Sequence, residues 1–395
     1  MKRFPAHLIY SLKYPFKLWA YELLDQVLLN FFPAKKGGGV LIFRLDLIGD
    51  YLMSRPFFSA IKNDPAFAGK AISYAGNQQL SALAENLDSA IFDSFIWIDR
   101  SRFINSIFYR FRVLREIRSR GFDLLIYPSH TRQYWLESVV RVSGAREKIT
   151  PSSVGQYMSA LESGISLSNY TRVVDTGKAA RFEFYRNRDF FASIAPLAGQ
   201  VKNLHQSTLI SKKRKPLVLI APGASTAERR WPESQFAALL KELSRIPGLR
   251  FAIIGSPAET EMANIILALA NVPEIENLAG RFSLPQSMEL MAEASLLVSN
   301  ESGPVHMAAT TGTACVCISN GNHFGRWNPY PADLASDILT VYPARFGDVS
   351  STFESLVSQY HNRSEIPASE VEFDSVLKAC RMLLAELMPA IGHYS

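Results

Sequence analysis

Cysteine is scarce in this 395-residue chain, with three in all: Cys315, Cys317 and Cys380. Three thiols cannot build a framework of bridges and their spacing fits no metal-binding pattern, so a disulfide scaffold is excluded and a reducing compartment is expected. Long apolar runs are missing too. No stretch of eighteen or more apolar residues passes without a charge, which argues against a membrane-spanning helix. Nor is there an internal sequence repeat. What remains, 48% hydrophobic and 20% charged residues, is a globular composition long enough for two domains, each with its own core.

Basic charge is present in excess and unevenly placed. The formal net charge is +6, and residues 1–38 hold Lys2, Arg3, Lys13, Lys17, Lys35 and Lys36 against Glu22 and Asp25. Residues 100–120 hold Arg100, Arg102, Arg110, Arg112, Arg115, Arg118 and Arg120 against Glu116 alone. Such blocks are either solvated faces or attract polyanions. No nucleic-acid motif accompanies them, so an anionic lipid surface or a phosphorylated substrate ranks above nucleic acid.

Leu8, Leu12, Phe16, Trp19, Leu23, Val27 and Phe31 recur at spacings of three and four, a helical stripe. Lysines and acids interrupt the apolar part and no small-residue cleavage site follows, so it does not read as a signal peptide. Two readings stand: a helix packed on the protein's own core, or an interfacial helix with aromatic residues and flanking lysines. Lys35-Lys36-Gly37-Gly38-Gly39 is a flexible joint at its end.

Short apolar runs at residues 40–45, 71–74, 91–98 and 124–127 alternate with helical patterns, which predicts βα units and a parallel sheet. The first run turns through Asp46-Leu47-Ile48-Gly49-Asp50 into a helix carrying Leu52, Pro56, Phe57 and Ile61. Asp50 there is a helix cap or a carboxylate at the strand's carboxyl end, where open α/β sheets place their ligands. Tyr127-Pro128-Ser129-His130-Thr131-Arg132 ends another run. His130 and Arg132 are ligand contacts or ordinary loop residues. From 149 to 215 the periodicity weakens and Pro and Gly punctuate the chain, as an interdomain region would; the run Lys212-Lys213-Arg214-Lys215 reads as a solvated linker.

A restart follows at 217–221, with a tight turn Pro222-Gly223-Ala224-Ser225 before a helix opened by Trp231-Pro232-Glu233. The strand at 251–255 ends at Gly255, where a nucleotide could approach the backbone. Residues 296–298, a polar turn Ser299-Asn300-Glu301-Ser302-Gly303-Pro304, a small-residue helix 305–311, the stop Gly312 and a strand 313–318 complete the clearest unit. A helix starting near Pro304 or Val305 would have free backbone N–H groups at its first turn, a potential anion site. Glu301, Ser302, Gly303 and His306 gather there.

Three ordered stretches carry a resemblance: Arg44-Leu45-Asp46-Leu47-Ile48-Gly49-Asp50 on to Pro56; Pro222-Gly223-Ala224-Ser225 on to Arg229-Arg230-Trp231-Pro232; and Ser299-Asn300-Glu301-Ser302-Gly303-Pro304-Val305-His306 on to Gly312. Together they resemble the signatures of glycosyltransferase family 9, the heptosyltransferase family of lipopolysaccharide core biosynthesis. The chain departs at Glu301, where the family usually has Asp, and at Arg229, where it generally has Lys. The segment Asn277–284 resembles a further family stretch.

The resemblance implies an α/β chain of GT-B architecture: two Rossmann-like doubly wound parallel-sheet domains facing a central cleft. A basic amphipathic segment at 1–39 would precede an acceptor domain at 40–200 and a nucleotide-sugar domain at 201–395. It also implies inverting transfer of a sugar, typically from ADP-heptose, to a lipopolysaccharide-type or other anionic glycan or glycolipid. The nucleotide-sugar is a substrate, so no cofactor and no metal are expected. Asp50 would be the catalytic base. Ser225, Arg229, Arg230, Gly255, Asn277, Glu301, Ser302, Gly303 and His306 would serve the donor; Arg44, Asp46, His130 and Arg132 would serve the acceptor. The expected location is cytoplasmic, peripheral on the inner face of the plasma membrane. A second reading keeps the fold but makes it a non-catalytic binder of sugar-nucleotides or glycolipids, and a phosphatase-like or epimerase-like α/β enzyme is a further class.

Overall fold

Most strands of the chain are short apolar runs buried on both faces, the pattern that parallel sheets covered by helices require. The computed structural model describes residues 6–152, 158, 160–177, 181–204, 214–273 and 275–391, with 6–16, 160, 161 and 388–391 described as backbone only. Lys2, Arg3, Lys212 and Lys213 lie outside the described residues, as do the side chains of Leu8, Leu12, Lys13 and Phe16.

The chain divides into two compact units. Unit 1 comprises Met1–Asp46, Phe57–Gly177 and Asn187–Gly199; unit 2 comprises Leu47–Pro56, Lys178–Arg186 and Gln200–Ser395.

Unit 1 holds β1 (Gly39–Arg44), β2 (Ile72–Asn77), β3 (Ser94–Ile98), β4 (Phe122–Ile126), β5 (Glu147–Pro151) and β6 (Arg172–Val174). They form one all-parallel sheet in the order β3-β2-β1-β4-β5-β6. Unit 2 holds β7 (Lys215–Ala221), β8 (Arg250–Ile253), β9 (Ile275–Asn277), β10 (Ala294–Asn300), β11 (Ala314–Ile318) and β12 (Ile338–Val341). Its sheet, also parallel throughout, runs β12-β11-β10-β7-β8-β9. Counted within each unit, both sheets have the doubly wound order 3-2-1-4-5-6 of a Rossmann-like fold.

The helices in chain order are α1 (Ala6–Phe31), α2 (Ile48–Asn63), α3 (Ser81–Asp88), α4 (Arg100–Asn105), α5 (Ile107–Arg120), α6 (Glu137–Val142), α7 (Ala160–Ser168) and α8 (Glu183–Ala192). They continue with α9 (Glu233–Leu243), α10 (Thr260–Ala270), α11 (Leu284–Glu293), α12 (Gly303–Thr311), α13 (Ala332–Ala335), α14 (Val349–Tyr360) and α15 (Phe373–Ile391). In unit 1, Val113, Leu114 and Ile117 of α5 pack on Leu41, Phe43 and Leu125 of the sheet. In unit 2, Phe236, Leu239, Leu240 and Leu243 of α9, with Val376, Cys380 and Leu384 of α15, pack on Val218, Ile220, Val298 and Val316.

Two expectations change. The stretch expected as interdomain contains β5 and β6, the last two strands of the unit 1 sheet. Periodicity missed β6 because it is three residues long and two of them are exposed. On α1, the stripe read from spacing is the outward face: Trp19, Leu23, Val27 and Phe31 are exposed, while Tyr21, Asp25 and Leu28 are buried. A helix that is apolar nearly all round does not tell by period which side meets the core.

Candidate functional site

Each sheet reverses its strand order once, and that reversal opens a crevice at the carboxyl ends of the two strands flanking it. In unit 2 those strands are β7 and β10. The Pro222-Gly223-Ala224-Ser225 turn leaves β7 and the Glu301-Ser302-Gly303 turn leaves β10, so the two sequence motifs meet at one crevice. Buried Asn300 ties them together: its amide nitrogen donates to the Pro222 carbonyl at 2.6 Å and its oxygen accepts from the Trp231 N–H at 3.0 Å.

Arg229 reaches across the same gap. One guanidinium nitrogen donates to Ser225 Oγ at 3.1 Å; the other donates to the Glu301 carbonyl at 2.7 Å and to Glu301 Oε1 at 3.1 Å. The carboxylate of Glu301 is buried, and its other oxygen accepts from Ser319 Oγ at 2.5 Å. Burial raises its pKa, and the Arg229 charge and the Ser319 bond oppose that rise. Glu301 therefore acts on Arg229: it anchors a planar fork that a Lys could not present in the same way. Arg230 is exposed and makes only long contacts, 3.4 Å, to the Ala224 carbonyl.

The helix α12 starts at Gly303 after Ser302 and stops at Gly312 with φ 68°; in its first turn Pro304 has no N–H and the Val305 N–H bonds the Ser302 carbonyl at 3.1 Å, which leaves the Gly303 amide at the helix start. Against that start lies the first turn of α2. The His306 ring sits over Gly49, so closely that a Cβ there would meet its Cδ2 at 2.5 Å and its Nε2 at 2.9 Å; a Cβ on Gly303 would meet Ile48 Cγ2 at 2.4 Å. Only glycines allow the two helix starts to interlock. Asp50, the next residue along the first turn of α2, is half-buried.

His306 has its own supports. Its Nδ1 lies 2.5 Å from Tyr330 Oη and its ring stands edge-on to Trp327 at 5.4 Å. Burial, with the nearby Arg229 charge, lowers its pKa to about 4, so it is neutral at physiological pH. Burial also holds Tyr330 protonated. A protonated Tyr330 donating to Nδ1 leaves the imidazole proton on Nε2, the nitrogen nearer Gly49.

The remaining donor-side residues lie at the ends of β8 and β9. Over Gly223 and Gly255 sits the Glu259 carboxylate: a Cβ on either glycine would meet it, at 1.6 Å and 2.7 Å. That carboxylate also accepts from the Ser256 N–H at 2.6 Å. Asn277 is engaged in its own turn, accepting from the Ala279 N–H at 3.0 Å and donating to Asn264 at 2.6 Å.

In unit 1 the reversal falls between β1 and β4; Arg44 is the last residue of β1, and Asp46, His130 and Arg132 sit on the loops that follow the two strands. Buried Arg44 donates to the Pro128 carbonyl at 2.7 Å and pairs with half-buried Asp46 at 2.9 Å, joining the two loops. His130 and Arg132, in contrast, are interior residues. His130 Nδ1 is 3.4 Å from Thr176 Oγ1, and Arg132 donates to Thr150 Oγ1, the Pro151 carbonyl and Ser166 Oγ while facing Glu137 at 3.5 Å. Those bonds fasten β5 and α7 to the β4 loop. A cavity of about 260 Å³ also exists in unit 2, but it lies at the carboxyl end of α12, beside Gly312, Asp333 and Asp337, away from the basic crevice.

Residues 181–339 match the family model described as glycosyltransferase family 9 (heptosyltransferase). Over those residues the chain is similar to glycosyltransferase family 9. Among its curated relatives, lipopolysaccharide heptosyltransferase 2 of Salmonella typhimurium is 33% identical over 121 residues, 30% of this chain and 34% of that protein. Lipopolysaccharide heptosyltransferase 3 of Escherichia coli is 22% identical over 299 residues, 72% of this chain and 84% of that one. The chain thus spans about a third of the first of these and most of the second. A solved family 9 glycosyl transferase from Veillonella parvula superposes with TM-score 0.65 at 19% identity, covering 89% of this chain and 99% of that one. The E. coli ADP-heptose lps heptosyltransferase II gives 0.61 at 17% identity, covering 88% and 99%. These likenesses establish the fold, GT-B, for a chain whose two units are each Rossmann-like.

Three side chains that touch the candidate site residues escaped the sequence reading: Ser319, Tyr330 and Glu259. Ser319 and Tyr330 lie far along the chain from their partners and carry no local signal. Glu259 did carry one, the capping box from Ser256 to Glu259 at the start of a 3-10 turn.

Proposed function

We propose that the chain transfers a sugar, heptose in the first instance, from a nucleotide-diphosphate donor to a phosphorylated or otherwise acidic glycan, with inversion at the anomeric carbon. The observation that carries this reading is the interlocking of α2 and α12. It holds Gly49, the residue before Asp50, against His306 of α12, whose start follows the Glu301 that anchors the Arg229 fork, and this supports Asp50 as the carboxylate of the site. A base for a hydroxyl and a cradle for a diphosphate are the two things such a transfer needs.

In the proposed reaction the acceptor hydroxyl attacks the anomeric carbon as Asp50 takes its proton. The bond from that carbon to the diphosphate oxygen breaks, and the nucleoside diphosphate leaves with the electron pair. The positive end of α12 and the Arg229 guanidinium receive the charge, with Arg230 at the rim. Protein groups thus meet the leaving-group charge, and the reaction is proposed to need neither metal nor cofactor. Neutral His306 orients the turn and offers Nε2–H. The relatives' names support heptose as the sugar, ADP-heptose as the donor and a lipopolysaccharide core as the acceptor, and such an acceptor places the enzyme at the cytoplasmic face of the inner membrane.

The test is release of nucleoside diphosphate from ADP-heptose by the purified chain, with and without a lipopolysaccharide-core acceptor. Release only when both are present is expected. Asp50→Asn should keep donor affinity and lose roughly 10²- to 10⁴-fold in turnover, the range of a general base. A variant within about threefold of wild type would remove Asp50 as the base. Tight donor binding with no release on any acceptor would favour a non-catalytic binder.

A further inference from the structure

We infer that α1 is an interfacial helix that lays unit 1 on an anionic membrane surface. The helix has two apolar faces, and among the described residues one is buried and the other largely exposed. Tyr21 and Leu28 are buried, and between them buried Asp25 pairs with Arg141 at 2.8 Å. Arg118 of α5 donates to the Phe32 and Leu29 carbonyls, closing the end of the helix onto the unit. On the opposite face Trp19 is 60% exposed, Leu23 51% and Phe31 74%, with Val27 between them. These four residues span twelve helical steps, about 18 Å along one side of the helix. A stripe of that length parallel to the axis suits a helix lying in a membrane plane. No described helix is long and apolar enough to cross a membrane.

The neighbouring surface says which apolar medium it meets. Lys17 hydrogen-bonds Asn105 at the end of α4, and Arg115 of α5 lies over the Phe32 ring at 5.2 Å, so α4 and α5 flank α1. The exposed side of those helices carries Arg102, Arg112 and Arg115, and Phe108, 86% exposed, stands at the start of α5. Acids nearby turn inward or are paired. Asp25 is buried, Glu22 accepts from Tyr134 and faces Arg141, and Glu116 pairs with Arg120. The outward surface is therefore apolar and cationic. Two copies meeting symmetrically through it would bring these arginines against themselves, whereas an anionic bilayer takes both the aromatic stripe and the charge.

Co-sedimentation of the full chain with vesicles of phosphatidylcholine alone, or mixed with phosphatidylglycerol, tests this. Binding should prefer the anionic vesicles at about 0.05 M salt and fall, though not to zero, near 1 M, where screening shortens to about 3 Å. Each basic residue near such a surface contributes about fivefold in partitioning, so Arg112→Gln/Arg115→Gln should lose roughly 25-fold at low salt. Trp19→Ser/Phe31→Ser should lose the fraction that survives high salt. Both variants alter exposed side chains and should keep wild-type far-UV circular dichroism and Tm. Equal binding to neutral and anionic vesicles, or wild-type binding by both double variants, overturns the inference. So does a dimer in solution that Trp19→Ser/Phe31→Ser converts to monomer, because a second copy then covers the stripe.

Discussion

Replacing Gly49 with Ala adds one methyl group at the contact between α2 and α12, and the structure gives the sign and scale of the result. The new Cβ would lie 2.5 Å from His306 Cδ2 and 2.9 Å from Nε2, about 1 Å inside the optimum for such atoms. His306 cannot swing away at no cost, since Tyr330 holds Nδ1 at 2.5 Å and Trp327 stands against its ring. Overpacking of this kind costs about 1–3 kcal/mol. Gly49 has no positive φ, so the backbone accepts alanine and returns up to about 1 kcal/mol of helix propensity. We expect a net loss of roughly 1–2 kcal/mol, with turnover reduced because the turn bearing Asp50 must shift. In a His306→Ala background the same substitution should reverse sign and stabilise by up to about 1 kcal/mol. Urea midpoints for the four proteins of this cycle give the coupling directly. A coupling within about 0.5 kcal/mol of zero would refute the interlock and with it the placement of Asp50.

Arg229→Ala should weaken donor binding roughly ten- to a hundred-fold and lower Tm as well, because Glu301 then stays buried without its cation; unchanged nucleotide-sugar titrations would remove Arg229 from the site. Acid should destabilise the protein through two histidines. Burial is the main reason that the pKa values of His306 and His323 are both lowered to about 4, with nearby arginine charge acting in the same direction. An unfolded chain protonates them near pH 6.5, so the stability they contribute is complete above that pH and is lost as pH falls toward about 4. Each shift corresponds to roughly 3 kcal/mol. Urea midpoints taken across that window should show the loss, and His306→Gln should flatten the slope by about one proton; an unchanged slope would show that His306 titrates normally.

The three motifs were legible because a glycine turn at the end of a parallel strand is a local event: Pro222-Gly223-Ala224, Glu301-Ser302-Gly303 and Ile48-Gly49-Asp50 each announce a strand giving way to a helix. The buried apolar runs likewise announced most of β1 to β4, β7, β8, β10 and β11. Four strands were lost to shortness or polarity. β6 and β9 are three residues long with too few buried to show a period, β5 opens on the charged pair Glu147-Lys148, and β12 follows a loop region in which no pattern stands out.

Direction and partnership lay beyond the local signal. Spacing alone marked the α1 stripe but could not say that Tyr21 and Leu28 would face the core and Trp19 and Phe31 the outside, because both faces are apolar. Loop position alone made His130 and Arg132 look like ligand contacts; packing buried them against β5 and α7. By itself, then, the sequence determined the βα succession, the family motifs and the excess of positive charge, all properties of residues near one another along the chain. Only the tertiary structure decided that Glu301 holds Arg229, that His306 closes over Gly49, and which arginines of the 100–120 block remain exposed. Those outcomes depend on side chains separated by tens to hundreds of residues competing for the same buried space, and only the folded chain settles that competition.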